Sequence, residues 1–441
     1  VLAAPICALV NSSLRLGTVP DQWKIARITP IPKRLPVLDL ANDIRPIAIT
    51  CPVSKIAEQI LAGVFDEHFN EFVDECQFGS VCGRSTTLAL VKLAHVLYDA
   101  SDDNCNIIRI LFVDFSRAFD VIDHNVIADK LLSHNFSDRF SSWFLSFLNE
   151  RSQFVKIGVN TSEIQYVSAG APQGTRAGPN AFKLMINDLV FKIPFIKYVD
   201  DVTVAAVSQD PLDIQIHEAA DHLEKWSSAN GLKLNANKTK EMILVFNNRN
   251  RQEQCIPIVI GNNTIESVDK FKLLGVYFSS NLTWNEHVNY VISKASKRIF
   301  VLCQLVRCGF GSEDIVKVYC SLVRSILEYA SPVWHCGLTQ KLSDDIEAVQ
   351  RRCLKIIFPL LSYGDALQVA CVETLSSRRE KAVAALFCEI KHRNHVLHNL
   401  LPYRTRTSGS TVRNTYPYTI PAAKTSRKLR SLIWYCISKR M

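Results

Sequence analysis

The segment FIKYVDDVTVAAV, residues 195–207, decides how this chain is read. Two adjacent carboxylates, Asp200 and Asp201, interrupt a run that is otherwise apolar and β-branched, the composition of a strand. An ionised carboxylate taken out of water is very costly, so the pair needs a cationic partner, a metal or an exposed turn. Successive strand residues face opposite sides of a sheet, so neighbouring aspartates serve one site only from a hairpin tip. FIKYV and VTVAAV both have strand character, which leaves Asp-Asp as the expected loop. Two-residue hairpin loops prefer Asn-Gly or Asp-Gly, so Asp-Asp is a poor turn chosen for its charge.

A second acidic feature lies upstream, in LFVDFSRAFDVIDH (111–124). Asp114 closes the longest β-branched run, IIRILFVDFS (107–116), where strand should give way to loop. A strand-end carboxylate beside a two-carboxylate hairpin suits two-metal phosphoryl transfer: hard oxygens bind Mg²⁺ and substrate phosphates complete the coordination. Each feature alone is weak, since an Asp after a strand is often a loop residue and an Asp-Asp pair is usually a solvated turn.

The rest of the chain bounds the possibilities. Its 441 residues, 48% hydrophobic and 21% charged, are enough for one or two substantial cores and carry no signature of disorder. No secretory signal follows Val1, and no charge-free apolar run reaches the length of a membrane span. The absence of an initiating Met suggests a fragment. Fourteen cysteines are scattered without a C-x-x-C pair, which disfavours zinc and reads as reduced thiols of an intracellular protein. The net charge of +9 is uneven: residues 351–441 hold 17 Lys/Arg against 4 Asp/Glu, leaving the remainder mildly acidic. Such a basic region reads as a polyanion-binding surface or, with equal weight on charge alone, as a solvated tail.

Apolar spacing predicts a helix in VSKIAEQILAGVFDEHF (53–69), a strand at 107–116, a helix in VIDHNVIADKLLSHN (121–135) and a hairpin from SQFVKIGV to YVSAG. AFKLMINDLVFKI (181–193) reads as helix, as does PLDIQIHEAADHLEKWSSANG, closed by Gly231. EMILVF (241–246) is a strand. Beyond Trp284 the pattern is wholly helical, so a mixed α/β body passes into a helical region near 280–290.

The order FVDFSRAFD, APQGTRAGP, YVDD and GLKLNANKTK resembles motifs A, B, C and D of reverse transcriptases, specifically those of non-LTR (LINE-type) retrotransposons. The likeness extends to GTVPDQWKIARITPIPK and DIRPIAITCPVSKIAEQIL, similar to fingers segments, and to QFGSVCGRSTTLAL. FKLLGVYFSSNLTWNEHV and the segments YCSLVRSILEYASPVW and IEAVQRRCLKII resemble the thumb side. It covers about residues 10–360 and, more weakly, the tail.

The resemblance implies an α/β right-hand polymerase: fingers with part of the palm in 1–100, palm in 101–280, a helical thumb-like region in 281–360 and a basic tail region in 361–441. Asp114 and Asp200 are then the principal Mg²⁺ ligands, with Asp201 beside them and the Phe115 carbonyl as a further oxygen. Two Mg²⁺ ions are implied, with Mn²⁺ as a substitute. Phe119 occupies the position whose ring blocks a ribose 2′-hydroxyl, and Gln173 and Gly174 lie against the incoming nucleotide and template base. Lys33 and Arg45 resemble residues that grip the triphosphate, where cations meet charge developing on the leaving group. Lys238 matches the motif D lysine, a candidate general acid for pyrophosphate, with Lys240 as its competitor.

Lys294, Lys297, Arg298, Arg351, Arg352 and Lys355 would track template–primer phosphates, or form an ordinary solvated face. Trp284 and Trp334 read as core aromatics. Asn180, Ala181 and Lys183 depart from the family, which favours apolar residues there, so the packing of that helix is in question. The implied partners are an RNA template, a DNA primer or target and dNTPs, without a membrane, in the nucleus or cytoplasm. No endonuclease region precedes Val1, so the expectation is a partial element-derived product. Two rivals stand beside this reading: a decayed or co-opted relative that binds nucleic acid without catalysis, and a metal-dependent phosphohydrolase, which would leave Phe119, Gln173 and Lys238 unexplained.

Overall fold

The computed structural model describes residues 2–104, 106–246, 254–402, 418 and 422–441. Its strands are β1 (Ile25–Pro32), β2 (Ile44–Ile49), β3 (Ile107–Val113), β4 (Arg151–Ile157), β5 (Asn160–Thr161), β6 (Gln165–Val167), β7 (Phe195–Tyr198), β8 (Asp201–Ser208) and β9 (Lys240–Val245), followed by short strands up to Val276–Ser279.

The run 107–113 forms the centre of the main sheet, as its composition predicts, and every one of its residues is buried. β8 and β9 flank it antiparallel, β7 continues beyond β8, and the short strand Glu266–Ser267 adds parallel to β9. Alternation divides β3 between two cores. Ile108, Ile110 and Phe112 pack with Leu90 and Leu97 of the helix Thr86–Ala100 and with the C-terminal helices. Leu111 and Val113 face the other way, toward Ile127 of His124–Ser133 and Leu223 of Gln215–Ala229. A strand covered on both faces is a near-continuous apolar run for this reason.

A second sheet joins β2, β1 and β4, with β5 and β6 pairing β4 in the hairpin expected from sequence. β1 runs antiparallel to β2 and parallel to β4. The predicted helix at 53–69 is Pro52–Phe69, with Pro52 in its first turn, where a missing N–H costs nothing. Gly231 takes positive φ just past Gln215–Ala229, as a helix-closing glycine does.

The passage into helices falls at Asn285, within the window read from sequence. Asn285–Arg307 packs along Gln340–Ile357, and Trp284 and Trp334 are both buried in the core. Lys294, Lys297, Arg298, Arg351, Arg352 and Lys355 are all exposed on these two helices. The Lys355 ammonium donates to the Pro359 carbonyl at 2.6 Å.

The described end of the basic region is packed rather than free. Thr425 N donates to Asp102 Oδ1 at 2.8 Å, Lys428 pairs with Asp99 and Asp102, and Leu432, Ile433, Cys436 and Ile437 are buried. Residues 403–417 and 419–421 of that region, and Cys105, lie outside the described residues. The thirteen described cysteines are free thiols, and no described helix is long and apolar enough to cross a membrane.

Two readings need correction. The helix read in AFKLMINDLVFKI stops at Ile186, and 187–194 form turns leading into β7. The unusual Lys183 does not spoil that helix: its buried ammonium pairs with Asp66 at 2.6 Å and lies over the rings of Phe65 and Phe69. A carboxylate and two aromatic faces from Pro52–Phe69 thus replace apolar packing.

Candidate active site

The tip of the β7–β8 hairpin is shifted by one residue from the expected loop. Tyr198 pairs with Asp201, so Val199 and Asp200 make the turn and Asp201 opens β8. Val199 carries φ of +58°, a conformation that is a true outlier for a β-branched residue. The strain is held from the segment 76–79, which lies alongside β7. Gln77 is wholly buried, and its Oε1 accepts from Gly79 N at 3.0 Å and Val199 N at 3.4 Å. Phe78 N donates to the Lys197 carbonyl at 2.7 Å, and Lys197 N to that of Cys76 at 2.8 Å.

Beneath the hairpin, Lys197 is completely buried. Its ammonium donates to the carbonyls of Ile186, Asn187 and Leu189 and pairs with Asp74 at 2.6 Å. A lysine at a helix C-terminus satisfies orphan carbonyls and the helix dipole together. It anchors the hairpin to the helix Ala177–Ile186. The other end of that helix is held by Glu58, whose Oε2 accepts from Arg176 N at 2.8 Å and Ala177 N at 3.4 Å.

Asp114 stands directly after β3, as the sequence indicates. Its N–H donates to Thr239 Oγ1 at 3.2 Å and its carbonyl accepts from Asn235 N at 2.8 Å. The segment GLKLNANKTK is thereby bound to the strand end. β3 and β8 are in register with Val113 opposite Val202, so Asp114 and Asp201 follow at the same end of the sheet, with Asp200 at the adjoining turn.

The carboxylates act on one another unequally: Asp114 raises Asp200, and both raise Asp201. Burial raises the Asp114 carboxyl above its ordinary range, against Lys238, Asn235 and Lys33, which favour its charge. Asp200 is raised by burial and by Asp114, while its own backbone N–H and Arg45 oppose the shift. Asp201, although exposed at the start of β8, is pushed up to about 7 by the protein that crowds it and by the charges of Asp200 and Asp114. The cations that act on the cluster come from three places: Lys33 just after β1, Arg45 within β2, and Lys238 just before β9. Lys240 is engaged elsewhere, its ammonium donating to Asn237 O at 2.6 Å and pairing with Glu266 at 2.7 Å.

This donor set fits a divalent cation. Its oxygens are hard, and its ionised form is short of positive charge, since all three carboxyls titrate high despite those cations. Among the described residues no three His, Cys, Asp or Glu side chains enclose an ion by themselves. A Mg²⁺ bound here would therefore rely on one or two carboxylates and on waters or substrate phosphates.

Phe119 and the loop 170–174 form the neighbouring wall. The Phe119 ring stacks on Phe182 with centroids 5.1 Å apart. The Gln173 carbonyl accepts from Ala48 N at 2.7 Å, which ties the loop to β2. Gly174 has φ of +104°, and a Cβ on it would stand 3.1 Å from the Ala48 carbonyl oxygen, so backbone packs on backbone there. Phe115 is buried, bridging Leu234.

Of the ten residues the resemblance assigns to the site, Asp114, Asp200, Asp201, Lys33, Arg45 and Lys238 are linked electrostatically, while Gln173 and Gly174 pack on Ala48 of β2, Phe119 on Phe182 and Phe115 against Leu234. Asp74, Gln77, Gly79, Lys197 and Thr239 escaped notice. A lysine inside the apolar strand FIKY was a visible signal for one of them; the others depend on contacts distant in sequence.

A reverse transcriptase (RNA-dependent DNA polymerase) family profile matches residues 31–278. The probable RNA-directed DNA polymerase from transposon BS of Drosophila melanogaster is 24% identical over 373 residues, covering 80% of this chain and 40% of that protein. The corresponding protein from the X-element of the same species is 23% identical over 443 residues, covering 93% and 45%. This chain thus spans less than half the length of these relatives. Apo telomerase from Candida tropicalis superposes with a TM-score of 0.47 at 11% identity, covering 90% of this chain and 68% of that one. With more than half its length matched, and with motifs A to D in order, this chain belongs to the reverse transcriptase family, in the branch carried by non-LTR retrotransposons.

Proposed function

We propose that the chain is the polymerase portion of a non-LTR retrotransposon protein and extends a DNA 3′-hydroxyl along an RNA template with dNTPs. The observation that supports this most is the convergence of Asp114, Asp200 and Asp201 at one sheet end, each raised by burial and the last two also by their acidic neighbours, with Lys33, Arg45 and Lys238 acting on them from three elements. In this reading 1–100 are fingers with part of the palm, 101–280 palm, 281–360 thumb and 361–441 a basic extension.

The family uses divalent metal, and two Mg²⁺ bound by the aspartates would lower the cost of ionising the attacking hydroxyl and of charge on the leaving pyrophosphate. The residues supply the rest. Lys33 and Arg45 hold the triphosphate, and Phe119 closes the space a 2′-hydroxyl would need. The primer 3′-oxygen bonds to the α-phosphorus as the bond to the β-phosphate bridging oxygen breaks. The hydroxyl proton passes to water, and Lys238 Nζ gives a proton to pyrophosphate. Nucleic acid lies against the exposed cations of Asn285–Arg307 and Gln340–Ile357 through phosphate contacts, which weaken with salt.

The test is extension of oligo(dT) on poly(rA) with Mg²⁺ or Mn²⁺, comparing the chain with Asp200→Ala. Extension that Asp200→Ala abolishes supports the proposal. Product no different from background in both proteins, with poly(rA) still bound, would replace it with binding without catalysis.

A further inference from the structure

Phe119 and Gln173 already have roles in the reading above, but the last residue of motif A, Asp120, has none. Its carboxylate Oδ1 accepts a hydrogen bond from Gln173 Nε2 at 2.9 Å. The two segments are fastened on either side of this contact. Ala171 N donates to the Phe119 carbonyl and Gly170 N to that of Ile122, both at 2.8 Å. Gly170, at φ of +88°, lets the chains meet: a Cβ there would come within 2.6 Å of the Asp120 carbonyl oxygen. Asp120 and Gln173 also line one cavity of about 290 Å³, together with Ala26, Ile28, Ala48 and Arg151. Gln173 is therefore gripped twice, by β2 through its backbone carbonyl and by Asp120 through its amide.

The chemistry of the partner fixes which way the amide points. A carboxylate only accepts, so the amide nitrogen must face Asp120 and Oε1 must turn away from it. Gln173 then offers an acceptor to whatever lies in the cleft. For a polymerase that takes all four nucleotides, base donors differ, and the hydroxyl common to every incoming dNTP is the 3′-hydroxyl. We propose that Asp120 is a positioning residue that locks the Gln173 amide with its carbonyl outward, so that the site recognises the 3′-hydroxyl of the incoming nucleotide. The proposal rests on the reading that Gln173 lies against that nucleotide.

The experiment uses the full chain on poly(rA)–oligo(dT) whose primer ends in a dideoxynucleotide, so that dTTP and ddTTP binding is read without turnover. Wild type, Asp120→Ala, Asp120→Asn, Gln173→Ala and the double variant are compared, each checked for an unchanged melting temperature. Asp120 is exposed; Asp120→Asn, which keeps an acceptor, is the second variant should the alanine disturb folding. Asp120→Ala is expected to weaken dTTP about tenfold, the scale of one charge-assisted hydrogen bond, and to leave ddTTP nearly unchanged. Asp120→Asn retains most of the preference, and the double variant is no worse than Gln173→Ala. If Gln173→Ala narrows the dTTP to ddTTP preference and Asp120→Ala does not, or the two effects add, the positioning role is overturned. If Gln173→Ala itself changes neither affinity, the placement of Gln173 against the nucleotide falls, and the proposal with it.

Discussion

Gly79 and Val199 meet backbone to backbone, so closely that a Cβ on Gly79 would stand 2.3 Å from the Val199 nitrogen. The strained turn that presents Asp200 is thus moulded against a glycine about 120 residues earlier in the chain.

Gly79→Ala must push that turn away, because its nearest neighbour is main chain and cannot yield. Displacement of a reacting group by about 1 Å costs about 10²-fold in rate. Primer extension by Gly79→Ala is expected to fall by about that factor with the far-ultraviolet circular dichroism unchanged. Wild-type rates would show that the tip does not depend on this contact.

Phe119 stacks on Phe182, so its ring is fixed and not free to swing aside. Phe119→Ala is expected to raise the incorporation of UTP relative to dTTP by about 10- to 100-fold, the range set by one small group in a shaped pocket. Single-nucleotide extension with each substrate measures it, and an unchanged ratio in an active variant would remove the gate.

The Lys183–Asp66 pair makes a stability prediction. The Lys183 side chain is almost fully buried, and burial lowers its pKa. Asp66→Ala leaves that ammonium unpaired, and removing one partner of a buried pair costs about 3–5 kcal/mol; Asp66 is partly exposed, so about 2 kcal/mol is expected in urea unfolding. Lys183→Leu in the same background should recover most of the loss, because apolar replacements of buried pairs are commonly neutral. No recovery would mean that the lysine is held for another reason.

Acid should loosen the packing of the helix Thr86–Ala100 against the C-terminal segment and of Asn285–Arg307 against Trp334. His95 shares a hydrogen bond with Ser431 Oγ at 2.7 Å, and burial lowers its pKa to about 4. His287, beneath Trp334, is lowered to about 4 by burial and by Lys272. Both stay neutral in the fold while the unfolded chain takes up protons below about 6.5, so stability is full above that pH and falls as pH drops toward 4. A shift of this size corresponds to about 3 kcal/mol per group at most. Asp201, raised to about 7, works in the opposite direction and adds stability as pH falls, so the effect is read as a difference. From pH 7 to 5 the urea midpoint should shift downward less in His95→Gln than in the wild type, and equal pH dependence of the two would contradict it.

Much of this was legible in one dimension. The run 107–113 identified the central strand because a strand buried on both faces is nearly continuous in apolar residues, its one exception, Arg109, being buried against Glu241 at 2.6 Å, and Asp114 stood out as the first charge beyond it. The passage to helices at Asn285 and the closing role of Gly231 followed from periodicity and from the left-handed conformation that glycine tolerates. The turn was misplaced by one residue because propensity rules exclude valine at positive φ, and only the buried Gln77 and the approach of Gly79 make that conformation affordable. Lys183 looked like a defect until Asp66 came beside it.

The sequence by itself determined the order of the motifs, the strand ends that carry the carboxylates and the family to which the chain belongs, since these depend on local composition and spacing. The tertiary structure alone decided which cations act on which aspartates, which lysine of the pair 238 and 240 is engaged elsewhere, and which way the Gln173 amide faces. Those are properties of contacts between residues tens to hundreds of positions apart, and electrostatic and hydrogen-bond energies follow distance in space, which no local pattern encodes.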